Sequence, residues 1–220
     1  QQVLDQFQRI AKVSIPEVMP TLGSEKTQYY RNKLDFTFSN KKWLTLDQIR
    51  SEEEFDRNAL GFHIPKMFDK IVDVDHCYLQ GNISNDVRNE LRAFALENKL
   101  TFYDIRNHVG LLRNLIIRTT STGESMVIVQ FGENDPESIR LVMEFLNQKF
   151  PEITSLISII NLKANETFHD LELVTYAGKD YIEEQMEGLK FRISPKSFYQ
   201  TNSEQAYNLY KVARDFAQLK

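Results

Sequence analysis

"GLLRNLIIRTTSTGESMVIVQFG", residues 110–132, decides the fold class. Two apolar runs flank the polar Thr122-Gly123 pair, which is the composition of a β-hairpin. Directly after it, "DPESIRLVMEFLNQKFP" (135–151) opens a helix. Asp135 is placed as N-cap, Pro136 at the first helical position and Glu137 near the positive end. "ITSLISIINLK" (153–163) then reads as a strand. Strand, strand, helix, strand in this order predicts a sheet with helices covering it.

Working outward, "YYRNKLDFTFS" (29–39) alternates, with Leu34, Phe36 and Phe38 on one side and Lys33, Asp35 and Thr37 on the other. That is a half-buried strand. "LGFHI" and "DKIVDVDHC" are two short strands joined by "PKMF". Residues 83–100 form a helix with Ser84 or Asn85 as N-cap and Val87, Leu91, Phe94 and Leu100 as its apolar stripe. "LELVTYAG" and "GLKFRIS" add strands downstream, and 41–59 is a polar excursion with "SEEEFD" as a surface loop. Both ends are amphipathic helices. Residues 2–11 carry Val3, Leu4, Phe7 and Ile10 on one face, and the last helix, from about Ser203, turns Ala206, Leu209, Tyr210, Ala213 and Phe216 inward. The expected class is α+β, a mostly antiparallel sheet with covering helices. Residues 1–27 are a helix and linker, 28–192 the central domain, and 193–220 a flanking helical segment.

At 220 residues, 41% hydrophobic and 26% charged, the composition is that of a soluble globular protein. No apolar run approaches the roughly 20 residues that span a bilayer, and no signal-peptide pattern opens the chain. The net charge of −4 argues against a self-sufficient nucleic-acid binder while allowing a local basic face. A single cysteine, Cys77, excludes an internal disulfide and suits a reducing cytoplasm. The first residue is not Met, and a piece of a longer protein is expected. His63, His76, His108 and His169 have no ligand-like spacing. Asp73 and Asp75 beside His76 read as solvated acids in a turn.

Four segments, in order and spacing, resemble the RNA uracil-5-methyltransferase family, which methylates C5 of uridine in 23S ribosomal RNA and in tRNA. "YYRNKLDFTFS" resembles the family's Tyr-Arg-x-Lys/Arg strand, and "GFH…DKIVDVDHC" its Gly-Phe-x…Ile-Val-Asp-Val-x-x-Cys segment. "LRNLIIRTTSTGESMVIV" is similar to its central hairpin. "ISPKSFYQTNSEQA" (193–206) is similar to the Ser-Pro-x-Ser/Asp-Phe-x-Gln-x-Asn signature at the entrance to the catalytic domain. The family's Gly-rich loop for S-adenosylmethionine, its nucleophilic Cys and its Glu base have no counterpart in this chain.

The resemblance implies a central slice of an S-adenosylmethionine-dependent, cytoplasmic, monomeric enzyme acting on structured RNA, with ribosomal RNA the expected substrate. In that enzyme a Cys adds to C6, C5 is methylated, and a base removes the C5 proton. The slice is expected to hold no catalytic residue and to be inactive alone, with residues 193–220 beginning the catalytic domain. Gln200 is implied against cofactor and target base, and Phe198 beside the uracil. Their plain structural alternatives are Gln200 capping the last helix and Phe198 in the core. Asn202 reads as that helix's N-cap. Arg31 and Lys33, with Asn32, are implied RNA contacts; Lys41, Lys42 and Trp43 could join them or belong to a solvated face. Cys77 matches the family's fourth [4Fe–4S] ligand, the other three lying upstream in the parent; in this chain it reads as a small buried hydrophobe. The rival from another class is a non-catalytic RNA-binding or assembly module.

Overall fold

The computed structural model describes residues 1–51 and 53–218. Seven strands form one sheet: β1 (Lys33–Ser39), β2 (Ala59–Ile64), β3 (Met67–Asp73), β4 (Leu112–Thr119), β5 (Ser125–Phe131), β6 (Ser155–Ile160) and β7 (Leu173–Gly178). Their order is β3-β2-β1-β4-β5-β6-β7. Every neighbouring pair is antiparallel except β5 and β6. Those two run parallel because a helix, α4 (Pro136–Lys149), makes the crossover between them. Asp135 caps α4 by accepting from the Glu137 and Ser138 N–H groups, with Pro136 at the first position, as the sequence predicts. A second sheet holds only the hairpin of β8 (Ile182–Met186) and β9 (Leu189–Ile193). The remaining helices are α1 (Gln2–Asp5), which continues as π-type turns over Gln6–Ala11, α2 (Leu46–Arg50), α3 (Asn82–Glu97) and α5 (Ser203–Phe216). The α+β class, with a mostly antiparallel sheet and covering helices, is therefore what the chain adopts.

The centre of the sheet, β4 and β5 above all, is buried on both faces. On one, Leu34, Phe36, Phe38, Leu115 and Val129 pack against Val87 and Leu91 of α3 and Val142, Met143 and Leu146 of α4. On the other, Ile116, Met126, Ile128, Ile157 and Ile159 meet Ile182 and Ile193 of the β8–β9 hairpin. This double cover explains why β4 and β5 read as unbroken apolar runs while β1 alternates. Gly61 of β2 lies so close to β3 that a Cβ there would collide with the Val72 carbonyl.

Several local expectations are corrected. α3 begins one turn earlier than predicted, with Gly81 as N-cap, so Ser84 and Asn85 lie buried inside its first turn. The Asn85 amide accepts from the Cys77 N–H at 2.8 Å and donates to the Cys77 carbonyl at 3.2 Å, so it closes a turn rather than capping a helix. The polar excursion contains α2, closed by a Thr45–Gln48 capping box. β8 was not anticipated, because its "IEEQM" shows a buried Glu184 that accepts from the Ser121 N–H at 3.2 Å. Asp73 is not a solvated turn residue. It sits at the end of β3, where Lys42 (2.8 Å), Arg92 (2.6 Å) and the Leu60 N–H (3.0 Å) all reach it. In α5 only Ala206 is buried, and Leu209 and Phe216 are 59% and 68% exposed rather than inward.

Three buried arginines fix the loops that surround the sheet, each by donating to backbone carbonyls rather than to a carboxylate. Arg88 holds Val74 and Asp75 at 2.9 and 3.0 Å. Arg113 holds Asn161, Lys163 and Asn165 at 2.7–2.8 Å. Arg118 holds Ser194 at 3.3 Å and Ser197 at 2.7 Å. Burial lowers the pKa of all three guanidinium groups. They remain cationic, since the ordinary value lies so far above neutrality.

Candidate functional site

The 194–202 segment leaves β9 and reaches α5 as a fixed loop. Ser194 and Ser197 close its turn, with the Ser197 N–H donating to the Ser194 carbonyl at 3.0 Å and the two hydroxyls 2.8 Å apart. Arg118 holds the same two carbonyls from below. Tyr199 turns its ring into the core beside Ile182 and Ile193, and burial raises its phenol pKa. Its neighbours on either side are thereby directed outward. Phe198 is 85% exposed and Gln200 is exposed.

Asn32, just ahead of β1, clamps the far end of the loop. Its side-chain amide donates to the Gln200 carbonyl at 2.8 Å, and its backbone N–H donates to the Thr201 carbonyl at 2.8 Å. Asn202 then caps α5, its side chain accepting from the Gln205 N–H at 3.0 Å. Both plain alternatives therefore fail. The capping is done by Asn202 and not by Gln200, and Phe198 is not a core residue. Beside Gln200 opens a groove of about 450 Å³, lined by Leu22, Asn202, Gln205, Leu209 and Val212 among others.

The basic candidates divide. Arg31 sits next to Asn32, half-buried, its N–H donating to the Leu79 carbonyl at 2.9 Å; among the described residues it has no carboxylate partner. Lys33 pairs with Asp35 at 3.1 Å. Lys41 and Lys42 are committed to Asp104 and Asp73 at 3.1 and 2.8 Å and act in the structure rather than as a free basic face. Trp43 is 40% exposed beside them. Asn32 was legible only as a companion of the basic pair. Its clamp on a loop 168 residues away has no local signal.

The described residues do not by themselves make up a site for either cofactor that the resemblance assigns to a longer protein. Cys77 is a single buried thiol in the main core, 5% exposed, and no group of three or more His, Cys, Asp or Glu side chains able to hold a metal occurs among the described residues. Four thiolates hold an iron–sulfur cluster, so the residues present do not fit one. The groove beside Gln200 is lined by Leu22, Ala206, Leu209 and Val212 together with Gln200, Thr201, Asn202 and Gln205, and has no acidic side chain for a ribose, so it does not fit S-adenosylmethionine as a whole either. No helix of the described residues is long and apolar enough to cross a membrane.

No family model matches the chain. It is 54% identical over 222 residues to an uncharacterized RNA methyltransferase of Bacteroides thetaiotaomicron, covering 99% of this chain and 49% of that protein. An uncharacterized RNA methyltransferase of Porphyromonas gingivalis is 49% identical, with 100% and 48% covered. One of Chlorobaculum tepidum is 34% identical, with 94% and 44% covered. Among solved structures, the tRNA (uracil-54, C5)-methyltransferase of Pyrococcus abyssi in complex with S-adenosyl-L-homocysteine superposes with a TM-score of 0.64 at 26% identity, covering 87% of this chain and 42% of that one. By sequence along its whole length and by fold, the chain belongs to the same family as these RNA methyltransferases, and it spans about half the length of the curated relatives it matches.

Proposed function

We propose that this chain is the RNA-facing central part of an S-adenosylmethionine-dependent uracil-C5 methyltransferase that acts on structured RNA, with 23S ribosomal RNA as the substrate, in the cytoplasm. The observation that carries this reading is the outward presentation of Phe198 and Gln200 on a loop fixed at both ends, by Arg118 and by Asn32. An aromatic face beside an amide suits an extruded pyrimidine, which offers a π face and a hydrogen-bonding edge. Catalytic sites need such groups held in place before the substrate arrives, and a buried guanidinium at one end with an amide clamp at the other supplies that rigidity. Arg31, next to the clamp, provides the cation for the backbone of the same nucleotide strand.

S-adenosylmethionine supplies the methyl group in the whole protein. What this chain's residues contribute is the wall that receives the base: Phe198 to stack it and Gln200 to orient its edge. The chain alone is inactive. In the full-length parent, single-turnover methylation measured beside RNA affinity tests the reading. Phe198→Ala and Gln200→Ala should slow methylation far more than they weaken RNA binding. Methylation at the parental rate by both variants under saturating RNA and cofactor would remove this loop from the base pocket.

A further inference from the structure

A separate cavity of about 240 Å³ lies on the sheet face opposite α3 and α4, at the edge of the cover provided by the β8–β9 hairpin. Asn114 and Ile116 of β4 and Gln130 of β5 form its floor, and Asp35, Glu166 and Phe168 are among its walls. Asn114 and Gln130 face each other across the β4–β5 ladder and are 5% and 1% exposed. Asn114 Oδ1 and Gln130 Nε2 have no hydrogen-bond partner among the described residues. Buried amides in native interiors are almost always paired. Asn114 Nδ2 donates to Thr37 Oγ1 at 3.4 Å. The unpaired acceptor and donor lie just beneath the floor, on residues that line the cavity, and mark a place for a polar ligand whose donor and acceptor the two amides can turn to meet.

The walls narrow the chemistry. Asp35, paired with Lys33 at 3.1 Å, and Glu166, beside His63, line the cavity with carboxylate oxygens, which offer acceptors to an amine and none of the donors a phosphate needs. Glu166 lies 3.8 Å from His63, and that interaction lowers its carboxyl pKa, so it stays an acceptor at neutral pH. The Phe168 and His169 rings lie parallel at 5.5 Å and offer a flat apolar surface. An amine next to a ring nitrogen, on a flat aromatic body, describes the hydrogen-bonding edge of cytosine or adenine. Position points the same way. Asn32, which clamps the Gln200 loop, and Asp35, at the cavity, are three residues apart along the same segment, or about 10 Å at the rise of a strand.

We propose that this cavity receives an unpaired, amine-bearing base of the substrate RNA close to the nucleotide at Phe198 and Gln200, and so reads sequence beside the target. The proposal rests on the reading that the chain faces RNA. Titration of the isotopically labelled 220-residue chain with CMP, AMP, UMP and inorganic phosphate, followed by NMR, tests it. CMP or AMP should shift the side-chain amide signals of Asn114 and Gln130 and the ring signals of Phe168, with at least several-fold weaker binding of UMP and no effect of phosphate. Glu166→Gln combined with Phe168→Ala should weaken CMP or AMP binding at least tenfold. Both positions lie outside the strands, and unchanged signals from the β4–β6 core would show that the fold is kept.

No shift at these residues up to millimolar CMP and AMP would overturn the proposal, as would equal shifts from UMP or from phosphate. The two readings fail separately. If the chain binds structured RNA but the nucleotides leave the cavity untouched, the cavity reading alone falls. If CMP or AMP fills the cavity while Phe198→Ala and Gln200→Ala leave methylation intact, the base-pocket reading alone falls.

Discussion

Arg118 Nη2 donates to the Ser197 carbonyl at 2.7 Å, joining the middle of the sheet to the residue just before Phe198. Arg118 as a whole is 7% exposed. A buried cation with carbonyl partners has one evident use here, which is to hold a loop still.

Arg118→Met should therefore destabilise the chain modestly and loosen one loop. The substitution removes a buried charge, which offsets part of the loss. The Ser194 carbonyl keeps the Ser197 N–H at 3.0 Å, while the Ser197 carbonyl loses its donor. One unmade bond to a buried acceptor costs about 1–3 kcal/mol. Urea denaturation gives the total, and hydrogen exchange at Phe198 and Tyr199 should accelerate more than exchange in β6. Uniform acceleration would mean that Arg118 supports the whole sheet and not this loop in particular.

Phe198→Ala should be neutral for stability and costly for function. A side chain 85% exposed contributes little to folding, so the change should stay within about 0.5 kcal/mol. Loss of a stacking surface for one base is worth about 1–3 kcal/mol in the methyltransferase proposed above. Gln200→Ala removes one or two hydrogen bonds at about 1 kcal/mol each. Arg31→Ala should act on affinity instead, lowering the salt dependence of RNA binding while leaving the chemical step near normal. Single-turnover rates and a salt series of binding constants separate these effects.

Stability should fall as the pH drops below about 4, with Asp104 and Asp73 among the causes. Burial alone would raise the Asp104 carboxyl. Hydrogen bonds from Asn40, Lys41 and the Asn107 and Arg106 N–H groups outweigh it and hold the pKa far below the ordinary 3.8. Asp73 is likewise lowered, burial being outweighed by Lys42 and Arg92. A depressed folded-state pKa contributes stability above the unfolded value and loses it as the pH falls toward the folded one. Denaturation midpoints between pH 6 and pH 2 should decline, and Asp104→Asn should flatten that decline. An unchanged slope in the variant would refute the assignment.

The two ends should exchange faster than the sheet. Val3, Phe7 and Ile10 are 57%, 44% and 79% exposed, and α5 buries only Ala206. What ties α5 down is largely polar, with Glu187 accepting from Arg214 at 3.0 Å and from Tyr207 at 2.8 Å. Exposed pairs of this kind contribute little. Hydrogen exchange should rank residues 2–11 and α5 well below β6, and equal protection would contradict this.

Cys77 should behave as an inert core thiol. Its modification by a thiol reagent should be slow in buffer and rapid in denaturant, and the purified chain should bind no stoichiometric iron. Rapid modification of the folded chain would show that the turn held by Asn85 opens readily.

The sequence by itself determined the elements whose signals are local. The Asp135-Pro136 start of α4, the Thr-Gly turn of the β4–β5 hairpin, the alternation of Phe36 and Phe38 and the Asn202 cap all act within a few residues. Each is a matter of backbone stereochemistry or side-chain period, so each was readable. Tertiary structure decided the rest. An apolar stripe shows that a face wants cover but not which surface covers it, and so the stripe of α5 predicts Leu209 and Phe216 inward although the chain leaves them exposed. β8 was hidden because Glu184 is buried by virtue of Ser121, 63 residues away. The site itself depends on the same kind of contact. The residue types at 198 and 200 were legible, but their outward direction comes from Tyr199 packing into the core of a loop that Asn32 and Arg118 hold, 168 and 79 residues from the carbonyls they bind. Hydrogen bonds of that range leave no period and no spacing in a sequence, because the chain between their ends is free to take any length until the fold brings them together.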